Sequence, residues 1–169
     1  MQIFQPFLNP EDVMPFLEWI EKNRALDKEA YQMLDNLVYN LDSDSRSDFV
    51  RRVVIPVLSR QQNPYDTYWW NIAKYLFRIV GEQAIAPLIE VLESSEFIHS
   101  VKLKILAVKM LGEISDERAI AAIKNWLDSS IEKVEKSDNS DFISSSIWSN
   151  NEKMRVARSA IEAIQKRQS

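Results

Sequence analysis

Apolar residues recur every three or four positions along most of this chain. That is the spacing of amphipathic helices, not the alternation of half-buried strands. Eight runs can be read. Pro10 to Lys22 places Val13, Phe16, Leu17 and Ile20 on one stripe, with Asn9 as N-cap and Pro10 at the first helical position. Asp27 to Leu41 gathers Ala30, Leu34, Leu37, Val38 and Leu41, and the polar stretch that follows supplies turn and cap residues. Ser45 to Gln61 uses Phe49, Val50, Val53, Val54, Val57 and Leu58, but Pro56 inside it predicts a kink or an early stop.

Asp66 to Val80 carries Trp69, Ile72, Ala73, Leu76 and Val80. Gln83 to Leu92 carries Ile85, Leu88, Ile89 and Leu92. Phe97 to Ile114 carries Val101, Ile105, Val108 and Leu111. A seventh helix runs from Glu117 to about Val134, and an eighth, Asn151 to Lys166, carries Met154, Ala157, Ile161 and Ile164. With two glycines and six prolines, the chain has few of the Asn-Gly or Asp-Gly turns that join strands. Eight helices with short polar joints predict about four antiparallel helix pairs.

Part of the pattern repeats. Ala84-Ile85-Ala86 recurs as Ala119-Ile120-Ala121 at an offset of 35, and Ala73 recurs as Ala107 at an offset of 34. An offset kept through two consecutive helices marks a structural repeat. In this register Gly81 matches Ser115, not Gly112. Gly81 is then expected to end its helix in a left-handed conformation. Gly112 is expected where one helix lies too close to the next for a side chain. A helix pair cannot bury both faces alone, so stacked pairs share a continuous core. The fold class expected is all-α, an α-solenoid, with 1–169 as one repeat domain.

The segment "LKILAVKMLGEISDERAIAAIKNWL", Leu103 to Leu127, resembles the HEAT-like repeats of the cyanobacterial bilin lyase families and of many bacterial scaffold proteins. The residues that carry the resemblance are Ala107, Leu111, Gly112, Ile114, Asp116, Ala119 and Ile120. "VGEQAIAPLIEVL" is a shorter version of the same turn, and "MRVARSAIEAI" fits loosely. The likeness covers about 69–169 and implies an armadillo-like solenoid. Members of such families include binding scaffolds, bilin-attaching subunits and some DNA-repair glycosylases. The resemblance therefore implies, as alternatives to a plain binding module, an accessory role in attaching bilins to phycobiliproteins or a reader of DNA lesions.

Composition narrows the chemistry. The net charge is −4, which disfavours a nucleic-acid binder. Cysteine is absent and His99 is the one histidine. Thiolate nucleophiles, Cys-ligated metals and multi-histidine metal sites are thereby excluded, and neither a metal nor a cofactor is implied. His99 is read as a polar residue near a helix start, because no oriented partner for catalysis is evident. With two isolated glycines there is no phosphate cradle. No signal peptide or membrane span is read, so a cytoplasmic protein is expected.

Candidate binding residues come from three places. "NPYDTYWW" concentrates Tyr65, Tyr68, Trp69 and Trp70. Trp69 shares the core stripe, whereas Tyr65, Tyr68 and Trp70 can face a partner. The stretch 135–150 is expected to be a long solvated loop. Its Phe142, Ile143, Ile147 and Trp148 either cap the core or dock a partner. Tyr65, Tyr68, Phe97, Phe142 and Trp148 all fall in turns within pairs, on one edge of the expected stack, and a binding ridge is expected there. Second helices carry Lys74 and Arg78, Lys102 and Lys109, and Arg155 and Arg158. These form either a basic concave face or an ordinary solvated one. The function expected is a non-enzymatic adaptor or regulatory module that binds a protein.

Overall fold

The structure, a computed structural model, describes residue 15, 28–59, 67–94, 101–135 and 140–168. All regular elements among the described residues are helical. They are α1 (Lys28–Tyr39), α2 (Ser43–Phe49), a π-helical turn (Val50–Val54) and α3 (Ile55–Ser59). Then come α4 (Thr67–Val80), a 3₁₀ turn (Gly81–Ala84), α5 (Ile85–Glu93), α6 (Val101–Ile114), α7 (Arg118–Glu135) and α8 (Ser140–Gln168). No described helix is long and apolar enough to cross a membrane. Of the first expected helix only Pro15 is described, and it is helical.

The expectation of one continuous domain meets a division into two compact units, Met1–Pro87 and Leu88–Ser169, with the boundary inside α5. In the first unit the core is Ala30, Leu34, Leu37 and Val38 of α1, Phe49 to Ile55 without Arg51 and Arg52, and Ile72, Ala73, Leu76, Phe77 and Val80 of α4. The stripe expected for α1 is the buried one, and Ile72, Ala73, Leu76 and Val80 of the stripe expected for α4 are buried, while the side chain of Trp69 is outside the described residues. Asp42 starts α2 as its N-cap, its carboxylate accepting from the Ser45 N–H at 2.8 Å.

Pro56 neither stops nor ends the helical run. The run passes through 50–54 as a π turn, in which the Ile55 N–H donates to the Val50 carbonyl, and continues α-helically to Ser59. Proline lacks the N–H that an α-helix would use and crowds the carbonyl four residues back. A widened turn just before it accommodates both. Val53, Val54 and Leu58 are buried on either side, so packing favours continuation.

In the second unit α6 is the central helix. Every residue from Leu103 to Gly112 except Lys109 is buried, as expected of a helix enclosed on all sides. The single stripe expected for it is too narrow a description. α8 packs on both α6 and α7. A Cβ on Gly112 would lie 2.8 Å from both Cα and Cβ of Ala160, so these helices meet backbone against small side chain, as read for Gly112.

The 135–150 segment is a correction. From Ser140 it is not a loop but the start of α8, which runs unbroken to Gln168. Serine and asparagine suggest a loop by composition, yet no glycine or proline lies in 140–168 and Ile143, Ile147 and Met154 keep helical spacing into Ala157. Periodicity outweighed composition. The face expected for α8 holds at Ala157 and Ile164, with Ile161 half-buried, and fails at Met154. Val156, Ala157, Ala160 and Ile164 are buried, while Met154 is 37% exposed. Close approach at Gly112 selects the small residues for the interface.

Candidate functional site

Three charged or ion-paired groups among the described residues are committed to helix ends. The ammonium of Lys104, a buried residue, donates to the Leu92 carbonyl at 3.0 Å and the Ser94 carbonyl at 2.9 Å. It thus satisfies carbonyls left over at the end of α5. Asp116 accepts from the Arg118 N–H at 2.9 Å and pairs both oxygens with its guanidinium at 2.8 and 2.7 Å. The Arg118 side-chain hydrogen bonds, aided by its N–H and charge, hold the Asp116 carboxyl below the usual range against the opposing effect of burial. Arg167 donates to the Glu113 carbonyl at 2.7 Å. These are structural assignments.

A different arrangement lies between α1 and α4. Tyr31, Asp35 and Tyr39 recur every four residues on α1, one line removed from the buried Ala30, Leu34 and Val38. The last turn of α1 is fixed from outside. Arg46 donates from Nε to the Val38 and Leu41 carbonyls at 3.1 and 3.0 Å and from Nη2 to the Tyr39 carbonyl at 3.5 Å. Tyr39, so anchored by its backbone, is 74% exposed.

Tyr75 of α4 adjoins the buried Leu76 and is itself half-buried. Its hydroxyl donates to Asp35 Oδ1. Its ring meets Tyr31 edge-on, with centroids 4.6 Å apart and planes at 65°, a favoured aromatic geometry. Burial, then the hydrogen bond to Asp35, then the charge of Asp35 and the neighbouring Tyr31 and Tyr39 push Tyr75 up to about 12. Tyr75 therefore remains a proton donor at neutral pH. Among the described residues Asp35 meets this one donor and no cation. The arrangement presents a carboxylate edge and aromatic faces.

The sequence-predicted residues are distributed as follows. Lys74 is half-buried and Arg78 exposed, one turn apart on α4, whereas Arg155 and Arg158 are exposed on α8. The two pairs belong to different compact units. Lys102 and Lys109 are exposed on α6. Tyr68 and Trp70 lie in the first turn of α4, and Phe142 and Trp148 lie in α8, by backbone; their side chains are outside the described residues. Tyr65, Phe97 and His99 fall outside the described residues altogether. Among the described residues no three His, Cys, Asp or Glu side chains gather as metal ligands would.

Sequence reading passed over Tyr31, Asp35, Tyr39 and Tyr75. The signal on α1 was present, two tyrosines and a carboxylate at four-residue spacing beside the core stripe. The partner Tyr75, forty positions from Asp35, could not be paired with it from periodicity. No protein-family model matches the chain, and no curated protein or solved structure is significantly similar to it.

Proposed function

We propose that this chain is a non-enzymatic adaptor or regulatory module, a HEAT-like stack of helix pairs that binds another protein. The observation that carries the reading is the tyrosine line of α1. Tyr39, 74% exposed, lies one turn beyond Asp35, which accepts from Tyr75, on a helix end that Arg46 holds in place. Tyrosines on rigid elements dominate many binding interfaces, because a large amphipathic ring is ordered at little entropic cost. The repeat supports the solenoid part of the proposal. Gly81 and Ser115, matched in the repeat register, share a left-handed backbone with φ of 67° and 63°. Stacked repeats commonly serve as extended binding surfaces.

In this reading Tyr65, Tyr68, Trp70, Phe97, Phe142 and Trp148 are further contact residues, with Phe142 and Trp148 presented from a helix and not from a loop. Affinity capture from the native host, followed by mass spectrometry, tests it. The expected result is one protein enriched with the wild type and lost with folded Tyr39→Ala and Trp148→Ala variants. Enrichment that survives both, but is lost on charge reversal of Lys74 and Arg78, would move the site to the basic residues.

A further inference from the structure

Building on the binding-module reading, we infer that the α1–α4 seam receives an arginine side chain of the partner, its guanidinium pairing with Asp35 between the rings of Tyr31, Tyr39 and Tyr75. The following observations carry this. Asp35 is half-buried, yet among the described residues it has no cationic partner. A partly desolvated carboxylate without a counter-charge gains more from a cation than a fully solvated one does. Tyr75 already donates to Oδ1, which fixes the carboxylate and leaves Oδ2 to accept from outside.

The aromatic surroundings select the kind of cation. Tyr31 and Tyr75 meet edge-on, and Tyr39, one turn along α1 from Asp35, is exposed. A guanidinium can accept a carboxylate along its edge while a ring covers its face. An ammonium has no planar face to stack. Arg46, which reaches the end of α1, is committed to the carbonyls of Val38, Tyr39 and Leu41. Every neighbouring group that acts on Tyr75 besides burial is anionic or phenolic. The net charge of −4 favours approach of a basic segment.

The test uses the full chain and a defined probe, acetyl-Gly-Arg-Gly-Arg-Gly-amide, with its citrulline counterpart as an uncharged isostere. Binding is followed by the ring-proton resonances of Tyr31, Tyr39 and Tyr75. The expected result is saturable shifts at these rings with the arginine peptide and at least tenfold weaker binding of the citrulline peptide. Methylguanidinium should compete, and the lysine version should bind several-fold more weakly. Asp35→Asn, checked for folding by circular dichroism, should weaken the arginine peptide at least tenfold, and Tyr39→Leu several-fold.

Equal binding of the citrulline peptide, or shifts that map away from these three rings, overturns the inference. If Asp35→Asn does not fold, the citrulline and methylguanidinium arms on the wild type still decide it. A natural partner that binds Asp35→Asn as tightly as wild type would refute the arginine site while leaving the binding-module reading standing. A chain with no protein partner at all would refute that reading instead.

Discussion

Gly81 and Ser115, thirty-four positions apart, are the two described residues with positive φ, at 67° and 63°. Each ends a helix, α4 and α6, and each precedes the next helix by a short turn. Glycine accepts this conformation without penalty. Serine does not, and its hydroxyl offsets part of the cost by donating to the Gly112 carbonyl at 2.7 Å. Added at Gly81, a Cβ would meet nothing within 4 Å, so Gly81→Ala should cost backbone strain alone, about 1–2 kcal/mol. Ser115→Ala keeps the strain and removes the hydroxyl bond, for about 1 kcal/mol. Urea unfolding of both variants measures this. A neutral Gly81→Ala would contradict the assigned backbone.

At Gly112 the obstacle is steric. A methyl group there collides with Cα and Cβ of Ala160, and α6 and α8 must separate. Gly112→Ala should cost about 1–3 kcal/mol, the range for overpacking a core. Adding Ala160→Gly should recover part of the loss and not all, because the new methyl group still collides with the backbone at position 160. Full additivity of the two variants in unfolding experiments would mean that these residues do not touch.

Lys104 can be tested by removing its charge while keeping its length. Lys104→Met leaves the Leu92 and Ser94 carbonyls without this donor, and a loss of about 1–3 kcal/mol is expected. Leu111, fully buried on the same helix, should cost about 2–5 kcal/mol when truncated to alanine. Thermal or urea unfolding checks both. A Lys104→Met protein as stable as the wild type would show that these carbonyls find water instead.

Stability should respond to pH at both ends of the range. Tyr75 is raised from an ordinary value of 10 to about 12. Its contribution is fully present below pH ~10 and is lost as the pH rises through the folded value. Asp42 is lowered by its hydrogen bonds from the Ser45 backbone and side chain, and Asp116 by those from Arg118. Their contributions are present above the ordinary carboxylate range and fade as the pH falls through the depressed values. Alkaline ultraviolet titration of wild type against Tyr75→Phe checks the upper limb. The wild type should show one phenolate forming near pH 12 that the variant lacks.

Several parts of this fold were legible in the sequence because one helix carries the whole signal. The stripe of α1, the described part of the stripe of α4 and the left-handed Gly81 are of that kind. Other features depend on what the helix packs against. Pro56 announced a disturbance, but burial of Val53, Val54 and Leu58 turned a stop into a π turn. The serine-rich 140–150 stretch read as loop by composition, and only its helical spacing anticipated α8. On α8 Ala157 and Ile164 were read as buried, but Met154 was misjudged and Ala160 missed, since Gly112 on another helix decides which residues can approach. The α1–α4 site joins residues forty positions apart, and no local pattern encodes that pairing.

The central claim is that the chain works by binding a protein through exposed aromatic residues. The direct measurement is the dissociation constant between the purified chain and the purified protein that it captures from its native host, for wild type and for Tyr39→Ala. The account predicts a stoichiometric complex, at least tenfold weaker with Tyr39→Ala. A chain that captures no protein and instead co-purifies with a tetrapyrrole absorption band would contradict it. So would a captured partner whose affinity is unchanged by Tyr39→Ala, Trp70→Ala and Trp148→Ala.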